Sequence, residues 1–513
     1  MAGGITRLSN KIKHKISPSS SSKDGSSVHT NPKESKSLQE IKAKLAENSL
    51  AELRLGYDTG EFHSKRDFQS LVHVLKEQFL HKLSLDKHSC LQSINIGWKL
   101  PAFAYGPIFQ QIIPLLLQEP IRITKVTLVL RNNPIPEGCL KRIVSWPTLE
   151  TLDLRSIQVM KPLAHSERGV TAVTGSLRSH AKHFHHHHSH SHGSSVWGNS
   201  NADSDSIRSD ARQYSPHSWR TENIVKIVPY VSLSVKTLKL VDCGLTSFHI
   251  PELCDVIRRK MHGLQELSLR HNRELDGGYS HLFALPCIKK LDLSLCDLDA
   301  HDGLRIGKAM EKHLCCGAES STDNNNHHLR QLSLAGNYRM SESMPEVVRL
   351  ASTRLLELDC SFCDIQSKFQ GQVFMVLATT PDCMLQSFTM QGTRIICINE
   401  LVQCVRDNTS LRRLILNHPR EPFHVSYPAL NRVADALKDN YQICDLKLDS
   451  YKCDNVWRQM EFWLQLNRCG RRILLQDNER AAGWPTILGK AAKNEDPNVM
   501  YWLLKHGSAM FAC

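Results

Sequence analysis

One spacing of hydrophobic residues recurs along most of the chain. In the segment LQELSLRHNREL, residues 264–275, leucines occupy positions one, four and six, and an asparagine occupies position nine. A strand with one buried face alternates apolar and polar residues, and only Leu267 and Leu269 fit that alternation. The additional Leu264 and Asn272 therefore indicate a structural unit larger than a single strand.

The same nine-residue pattern begins twelve times, at spacings of 41, 34, 24, 86, 29, 24, 41, 26, 30, 26 and 32 residues. Recurrence at this scale predicts a repeat array in which each unit buries its apolar face against its neighbours. The twelve segments begin at Leu50, Leu91, Lys125, Leu149, Val235, Leu264, Ile288, Leu329, Leu355, Leu385, Leu411 and Ile443.

Each position of the pattern has a physical role. Positions one, four and six point into the core of one coil, while the side chain at position nine caps backbone groups of the neighbouring coil. Small or amide side chains occupy position nine, namely Asn133, Cys243, Asn272, Cys296, Asn337, Cys363 and Thr393. Several cysteines are thereby explained as small buried residues. Cys360 and Cys363 form a C-x-x-C at positions six and nine, which favours a core role over a redox or zinc site.

The segments between these strands predict helices. Apolar residues recur at steps of three and four, and prolines lie near the expected helix starts, where the missing N–H costs little. The predicted helices cover 250–261, 301–315, 344–352, 398–408 and 428–440. Another helix over 38–47 is expected to cap the first coil. The pattern changes after Tyr451, and helices over 455–468, 484–493 and 497–506 are expected to cover the last coil.

This combination of motif and spacing resembles the ribonuclease-inhibitor-type leucine-rich repeat family. The resemblance covers about residues 38–453. It implies an α/β solenoid shaped as a horseshoe, with parallel β-strands on the concave face, α-helices on the convex face and a helical C-terminal cap. It carries over no functional residue, because function depends on sites that differ between proteins of one fold.

The sequence predicts three regions along the chain. Residues 1–37 form a basic, Ser-rich tail that is expected to be disordered. Residues 38–453 form a solenoid of about twelve repeats, and residues 454–513 form the helical cap. Two polar insertions interrupt the solenoid, a His-rich one at 165–222 that is expected to be disordered and a small one at 315–328.

The His-rich insertion raises the question of metal binding. Imidazoles bind zinc, copper or nickel, and His185, His186, His187 and His188 are the candidate ligands. A flexible tract lacks the fixed geometry and supporting hydrogen bonds that selective binding requires. We therefore expect a solvated polar loop and assign no metal and no cofactor to the chain; a pH-responsive charge switch is an alternative role for the tract.

The net charge of +13 does not by itself indicate a nucleic-acid partner. Residues 1–37 carry seven Lys and Arg against two acids, so the tail alone supplies +5 of that charge. The outward positions of the twelve strands contain twelve Lys and Arg against ten Asp and Glu. A mixed face with few aromatic residues argues against nucleic acid, which requires regularly spaced positive charges and stacking platforms.

No enzyme signature appears in the chain. The phosphate-binding loop, the dinucleotide fingerprint, the zinc-protease helix and the nucleophile elbow are all missing from the sequence. No apolar run reaches the roughly 18 residues that a membrane helix requires. The first 22 residues resemble a transit peptide or a membrane-surface helix, but a disordered basic tail is the simpler explanation and the one we expect.

These observations favour a non-enzymatic, intracellular scaffold that binds a protein partner on its concave face. The alternatives are a regulator of a partner enzyme, such as an inhibitor or a GTPase-activating repeat protein, and a membrane- or organelle-targeted repeat protein. The expected compartment is the cytoplasm, with the nucleus, or an organelle addressed by residues 1–22, as alternatives. Partner identity and oligomeric state stay open.

Aromatic residues and arginines at outward positions are the candidate binding residues, because such side chains anchor protein interfaces. Arg131, Arg155 and Arg270 share position seven and are expected to align on adjacent coils as a patch for an acidic or phosphorylated segment. The alternative is a solvated face in which neighbours such as Asp153 and Glu266 pair with these arginines. The candidates are Tyr57, Trp98, Arg131, Arg155, Arg270 and Phe362.

Overall fold

A computed structural model of the full chain provides the structure. It describes residues 36–47, 50–57, 65–79, 91–97, 99, 108–116, 121–131, 134–162, 219–315, 329–419, 425–449, 454–472 and 480–493. The predicted tail before residue 36, the His-rich tract and the predicted helix at 497–506 lie outside these ranges.

Twelve parallel strands form one continuous sheet, and their order in the sheet is their order along the chain. Three further short strands, β4, β6 and β7, form a second sheet. The strands are β1 Glu52–Leu55, β2 Ser93–Ile96, β3 Lys125–Val129, β5 Thr151–Arg155, β8 Thr237–Val241, β9 Glu266–Ser268, β10 Lys290–Asp292, β11 Gln331–Ser333, β12 Glu357–Asp359, β13 Ser387–Thr389, β14 Arg413–Ile415 and β15 Asp445–Lys447.

The position-four side chains stack into one buried apolar spine. Leu267 pairs with Leu291, which pairs with Leu332, and the pairing continues through Leu358 to the end of the sheet. These four residues are at most 2% exposed. Together with the helices between the strands, the sheet makes the chain an α/β solenoid of leucine-rich repeats, and the predicted fold class is confirmed.

The predicted register of the third repeat is wrong by two residues. β3 pairs Val126 with Ile94 on one side and with Leu152 on the other, so Val126 and not Leu128 occupies position four. The segment ITKVTLVLRNN has apolar residues at both registers, and the pattern alone does not separate them. The structure buries Ile123 at position one, which decides the register. Arg131 consequently moves from position seven to position nine.

Helices connect most of the strands and return the chain across the convex side. They are α1 Lys36–Ala46, α2 Lys65–His73, α3 Ile113–Leu116, α4 Glu137–Val144, α5 His249–Lys260, α6 Tyr279–Phe283, α7 Ala300–Cys315, α8 Met344–Ser352, α9 Ser367–Thr379, α10 Ile398–Asp407, α11 Tyr427–Asp439, α12 Asp454–Arg468 and α13 Arg480–Lys493. Their apolar faces are buried, as in α10, where Leu401, Val402, Cys404 and Val405 join the core.

Position nine has the capping role that the sequence predicts. The Asn337 Oδ1 atom accepts the backbone N–H groups of Cys296, at 2.9 Å, and Leu298, at 3.2 Å. Its Nδ2 group donates to the Leu293 carbonyl at 3.0 Å and to the Leu334 carbonyl at 2.6 Å. One buried side chain therefore joins two successive coils through four hydrogen bonds.

Asn272 repeats this arrangement, whereas cysteine supplies fewer bonds at the same position. Asn272 accepts two backbone N–H groups at 3.0 Å each and donates to the carbonyl groups of Leu240 and Leu269. The Cys363 thiol donates only to carbonyl oxygens, with the Leu334 oxygen at 3.3 Å. Cysteine at position nine fills the core but leaves the amide contacts of asparagine unmade.

A second row of asparagines joins the last coils at the opposite ends of their strands. Asn440 Nδ2 donates to the Asn408 carbonyl at 2.9 Å, and Asn467 Nδ2 donates to the Asn440 carbonyl at 3.0 Å. Asn440 Oδ1 accepts the backbone N–H of Ile443 at 2.8 Å and Asn408 Oδ1 accepts that of Leu411 at 2.7 Å, so these two asparagines also lead into the next strand. Asn467 belongs to α12, which therefore continues the repeat geometry into the C-terminal region.

Arg471 attaches the end of this region to the preceding repeat. Its guanidinium donates to the carbonyl groups of Leu437 and Lys438 at the end of α11. The same group stacks against the rings of Tyr441, at 4.1 Å, and Trp463, at 4.4 Å. Burial lowers the pKa of Arg471 below its ordinary value, since desolvation disfavours the charged form. The arginine satisfies carbonyl groups that a helix end leaves unpaired.

The second sheet accounts for the way the long insertion joins the solenoid. It consists of β4 Pro134–Pro136, β6 Gln158–Pro162 and β7 Trp219–Glu222, with β6 parallel to β4 and antiparallel to β7. Pro162 pairs directly with Trp219, so the sheet brings together the two described residues that flank positions 163–218. The disordered insertion predicted at 165–222 is therefore wrong for its last four residues, which the β6 backbone holds in a strand.

Replacement of Asn337 by alanine tests the capping role of position nine. The change leaves two N–H groups and two carbonyl groups without their partner in a buried position, and we expect a loss of roughly 3 kcal/mol in the free energy of unfolding. Urea denaturation followed by circular dichroism measures this loss. Asn455→Ala, at an exposed site in α12, is the matched control, for which we expect a change below about 0.5 kcal/mol. Equal effects of the two substitutions would contradict the capping role.

Candidate protein-binding site

A row of hydroxyl and carboxylate groups forms the floor of the concave face over β9 to β12. The Asp292 carboxylate accepts hydrogen bonds from the Ser268 hydroxyl, at 2.8 Å, and the Ser294 hydroxyl, at 2.5 Å. Ser294 and Ser333 share a hydrogen bond of 2.9 Å between their hydroxyls. The side chains reach across neighbouring strands, so this floor is polar and fixed in position before any partner arrives.

This floor belongs to a groove of about 550 Å³ that extends from β9 to β14. Arg270 lines one end of the groove and Arg413 lines the other, while Lys290 and Glu357 lie between them. Leu295 and Phe362 supply apolar surface at the edge where the strands end. The groove therefore combines a polar floor, apolar edges and charges of both signs, which is the composition of many protein interfaces.

The backbone turns into the left-handed region at position eight of successive repeats. Ser156, Asp242, His271, Leu295, Gly336, Phe362 and Gly392 all have φ between 51° and 76°. Glycine adopts this conformation without cost, whereas a side chain with a Cβ costs about 1 to 2 kcal/mol. Large apolar residues at Leu295 and Phe362 are therefore unfavourable for the turn itself, which is consistent with selection for something other than stability.

Glycines at position eight of the following repeats make room for these two apolar side chains. A Cβ on Gly336 would lie 2.3 Å from Leu295 Cδ2, and a Cβ on Gly392 would lie 2.3 Å from Phe362 Cδ1. Leu295 and Phe362 therefore each lie across a glycine of the following coil, yet they stay 37% and 44% exposed. We name this surface, formed by Leu295, Gly336, Phe362 and Gly392, the apolar ledge. Phe362 was a candidate from the sequence, and Leu295 was not.

Tyr57 and Arg155 belong to a separate cluster on the first repeats. The Arg54 guanidinium lies 4.8 Å from the centre of the Tyr57 ring. Arg155 makes a bidentate pair with Asp153, with nitrogen to oxygen distances of 2.7 and 2.9 Å. Burial raises the pKa of Tyr57, although the charges of Arg54 and Arg155 act in the opposite direction. Within this cluster, the charge of Arg155 is paired with Asp153, and the charge of Arg54 lies over the Tyr57 ring.

The predicted line of arginines on adjacent coils does not form. Arg131 occupies position nine of the third repeat, where its backbone has a φ of 33°. Arg155 ends β5, and its register partner on the next strand, β8, is Val241. β8 therefore lies between Arg155 and Arg270, which follows β9. The carboxylate of Asp153 is bound to Arg155, and Asp242 is paired with His271 at 3.2 Å. A continuous positive patch is therefore not present at these three arginines.

The remaining candidate residues lie where the structure gives no description. Trp98 and the histidines at 185–188 lie outside the described residues. Within the described part of the chain, no three His, Cys, Asp or Glu side chains come together as a metal-binding group. No helix in those same residues is long and apolar enough to cross a bilayer.

Four cysteines at the core positions of the repeats are buried thiols. Burial raises the pKa of Cys243, Cys296 and Cys363 to about 12. It also raises the pKa of Cys360, the partner of Cys363 in the C-x-x-C, well above its ordinary value. A thiol reacts as its thiolate, and burial suppresses that form at neutral pH. The prediction of a core role for this pair agrees with the structure.

Comparisons with solved structures give matches of low identity and low TM-score. The leucine-rich repeat protein LegL7 from Legionella pneumophila is 10% identical over 67% of this chain and 90% of its own, with a TM-score of 0.37. A leucine-rich repeat protein of Leptospira interrogans is 13% identical over 82% of this chain and 88% of its own, with a TM-score of 0.27. The tropomodulin C-terminal domain of Caenorhabditis elegans is 13% identical over 33% of this chain and 96% of its own, with a TM-score of 0.26.

Two of these three neighbours are named as leucine-rich repeat proteins, and at such identities and TM-scores none of the three carries an argument about this chain. No protein-family model matches the sequence. No curated protein matches it either. The function is therefore argued from the geometry of the concave face.

Alkylation of the native protein tests the assignment of the cysteines. With iodoacetamide at pH 8, we expect Cys243, Cys296, Cys360 and Cys363 to stay unmodified, because their pKa values lie far above that pH and their sulfur atoms are buried. The half-buried Cys397 serves as the internal comparison and is expected to react first. Peptide mass mapping with and without urea measures the modification. Rapid labelling of Cys360 or Cys363 without urea would refute the core role.

Proposed function

We propose that this protein is a non-enzymatic intracellular scaffold that binds a protein partner in the concave groove. The observation that carries the proposal is the apolar ledge. Leu295 and Phe362 occupy left-handed backbone positions that disfavour them, and glycines at the neighbouring coils leave room for them to lie half-exposed. The chain keeps two large apolar residues in a backbone conformation that is unfavourable for them. Binding of a partner through these side chains would explain why they are kept.

The rest of the groove supports a protein as the partner. Half-exposed aromatic and aliphatic side chains serve as anchors, while the surrounding polar groups exclude water and fix the register. The floor presents hydroxyl, amide and carboxylate groups from Ser333, Asp359 and Gln391, which suit the backbone and side chains of a polypeptide. Phosphate recognition favours several unpaired bases that converge on one point, whereas Lys290 and Arg413 are both paired with carboxylates, at 3.7 and 3.4 Å, and Arg270 lies at one end of the groove.

Two finer assignments form part of the proposal. Helices of 9 to 16 residues follow most strands between β10 and β15, which supports the ribonuclease-inhibitor-like subtype of leucine-rich repeat. The described cysteines of the repeats are free thiols, which supports a reducing compartment such as the cytoplasm. A role in regulating a partner enzyme is compatible with the same surface, since blocking or positioning a partner requires only binding.

Site-specific photocross-linking tests the proposed function. The photoreactive residue p-benzoylphenylalanine is inserted at Phe362 or, as the matched control, at Tyr427 at the start of α11. Phe362 is 44% exposed and Tyr427 is 52% exposed, so the two probes have similar access to solvent. We expect discrete adducts in cells from the probe at Phe362 and not from the probe at Tyr427.

A second substitution makes the experiment specific for the ledge. Leu295→Ala removes the other apolar side chain of the ledge and is expected to reduce the yield of the Phe362 adducts by about tenfold, which corresponds to about 1.4 kcal/mol of binding free energy. Quantitative mass spectrometry of the adducts measures this yield. Identical adducts from the probes at Phe362 and Tyr427, or adducts insensitive to Leu295→Ala, would refute concave binding.

A further inference from the structure

The centre of the groove carries negative charge without a compensating base. The outward side chains of β11, β12 and β13, together with the next outward residue of each repeat, include two carboxylates, Glu357 and Asp359, and no Lys or Arg. The other seven are neutral, namely Gln331, Ser333, Ala335, Ser361, Ser387, Thr389 and Gln391. A partner that enters the groove therefore meets a local charge of −2 at its midpoint.

Two acids that flank this stretch are paired with bases of this chain. Glu266 lies 3.3 Å from Lys239 and 3.7 Å from Lys290, and Asp445 lies 3.4 Å from Arg413. Among the described residues, Glu357 and Asp359 have no Lys or Arg nitrogen within the 4.0 Å that defines these pairs. Asp292 of β10 has hydroxyl partners and, among the described residues, no base either, so the groove holds three carboxylates without a base, and Glu357 and Asp359 are the two that share one strand.

Hydrogen bonds hold the Asp359 carboxylate in a fixed orientation. It accepts the Ser361 hydroxyl at 2.6 Å, the Ser361 backbone N–H at 3.0 Å and the Ser333 hydroxyl at 3.2 Å. Glu357 lies two residues earlier on the same face of β12 and is exposed. One carboxylate is thus preorganised in the floor and the other is free to follow a ligand, so the pair can close on a single cationic group.

The apolar ledge lies beside this acid pair. Phe362 follows Asp359 by three residues, a separation of about 10 Å at most along an extended chain. In an extended partner segment, residues i and i+2 face the same side about 7 Å apart, and a long basic side chain spans the remaining distance. The groove therefore matches a cation and an apolar side chain that are two positions apart.

We infer that the partner presents an extended segment with an arginine or lysine two residues from an apolar side chain, the cation between Glu357 and Asp359 and the apolar group on the ledge of Leu295 and Phe362. This inference rests on the proposed function and specifies the chemistry of the partner. It is opposite in sign to the acidic or phosphorylated segment expected from Arg131, Arg155 and Arg270. Arg270 lines the groove just after β9, which is three strands away from the acid pair on β12.

A peptide library provides a direct test with a defined probe. The probe is a mixture of acetylated nonapeptides with leucine fixed at the centre and all other positions degenerate, passed over the immobilised full-length protein. Sequencing of the retained pool measures the preference at each position. We expect arginine and lysine to be enriched two positions from the central leucine, and we expect the enrichment to decrease at high salt, which screens charges.

The variant Glu357→Gln/Asp359→Asn removes both charges while it keeps the shape of both side chains. A representative retained peptide is expected to bind this variant at least about tenfold more weakly, because the charge-assisted hydrogen bonds to both carboxylates are lost. Asp407→Asn/Asp435→Asn is the charge-matched control, with both acids exposed on α10 and α11. We expect it to bind as the unmodified protein does. Thermal unfolding by circular dichroism verifies that both variants fold.

Three outcomes would overturn the inference: enrichment of Asp or Glu, no positional enrichment, or basic enrichment that survives in the Glu357→Gln/Asp359→Asn variant. None of them bears on photocross-linking at Phe362. Cross-linking at the ledge without basic enrichment keeps the proposed function and rejects the basic segment. Basic enrichment that depends on the acid pair, without cross-linking at Phe362 in cells, supports the chemistry of the groove and rejects the proposed function.

Discussion

The molecule depends on the mutual coverage of successive coils. Each coil is too small to bury its own leucines, and the side chains at position four, such as Leu332, are covered only because Leu291 and Leu358 lie on the neighbouring strands. Hydrophobic burial therefore accumulates between coils and not within them. The same stacking brings residues that are 24 to 86 positions apart in sequence into one continuous surface.

Stacking also creates backbone groups that need partners, because each strand ends in a tight turn inside the array. Asn272 and Asn337 satisfy these groups at the strand ends, Asn408 and Asn440 do so before the next strands begin, and Asn467 in α12 satisfies the Asn440 carbonyl. Where cysteine or threonine replaces asparagine, the core stays filled but fewer polar groups are bridged; the buried Thr393 hydroxyl has no hydrogen-bond partner among the described residues. The array therefore combines strongly and weakly bridged coils.

The concave groove follows from the left-handed turn at position eight. That turn directs its side chain towards the concave edge, and the residues there alternate between bulky and small over Leu295, Gly336, Phe362 and Gly392. The alternation lets each large side chain lie across the next coil, so the ledge is assembled from four separate repeats. The carboxylates of β12 lie beside the ledge. They have no basic partner on β11 or β13 because the outward side chains of those strands are neutral.

The sequence by itself determined the repeat, the fold class, the capping role of position nine and most strand registers, since these depend on local spacing of apolar residues. It also singled out Phe362 and Arg270. Only the tertiary structure decided the register of β3, because apolar residues at two alternative spacings there fit the local pattern equally well. The second sheet, the ledge partner Leu295 and the dispersal of the three arginines depend on which strands become neighbours, and on which charges they bring together. Such relations between distant repeats have no local signal in the sequence.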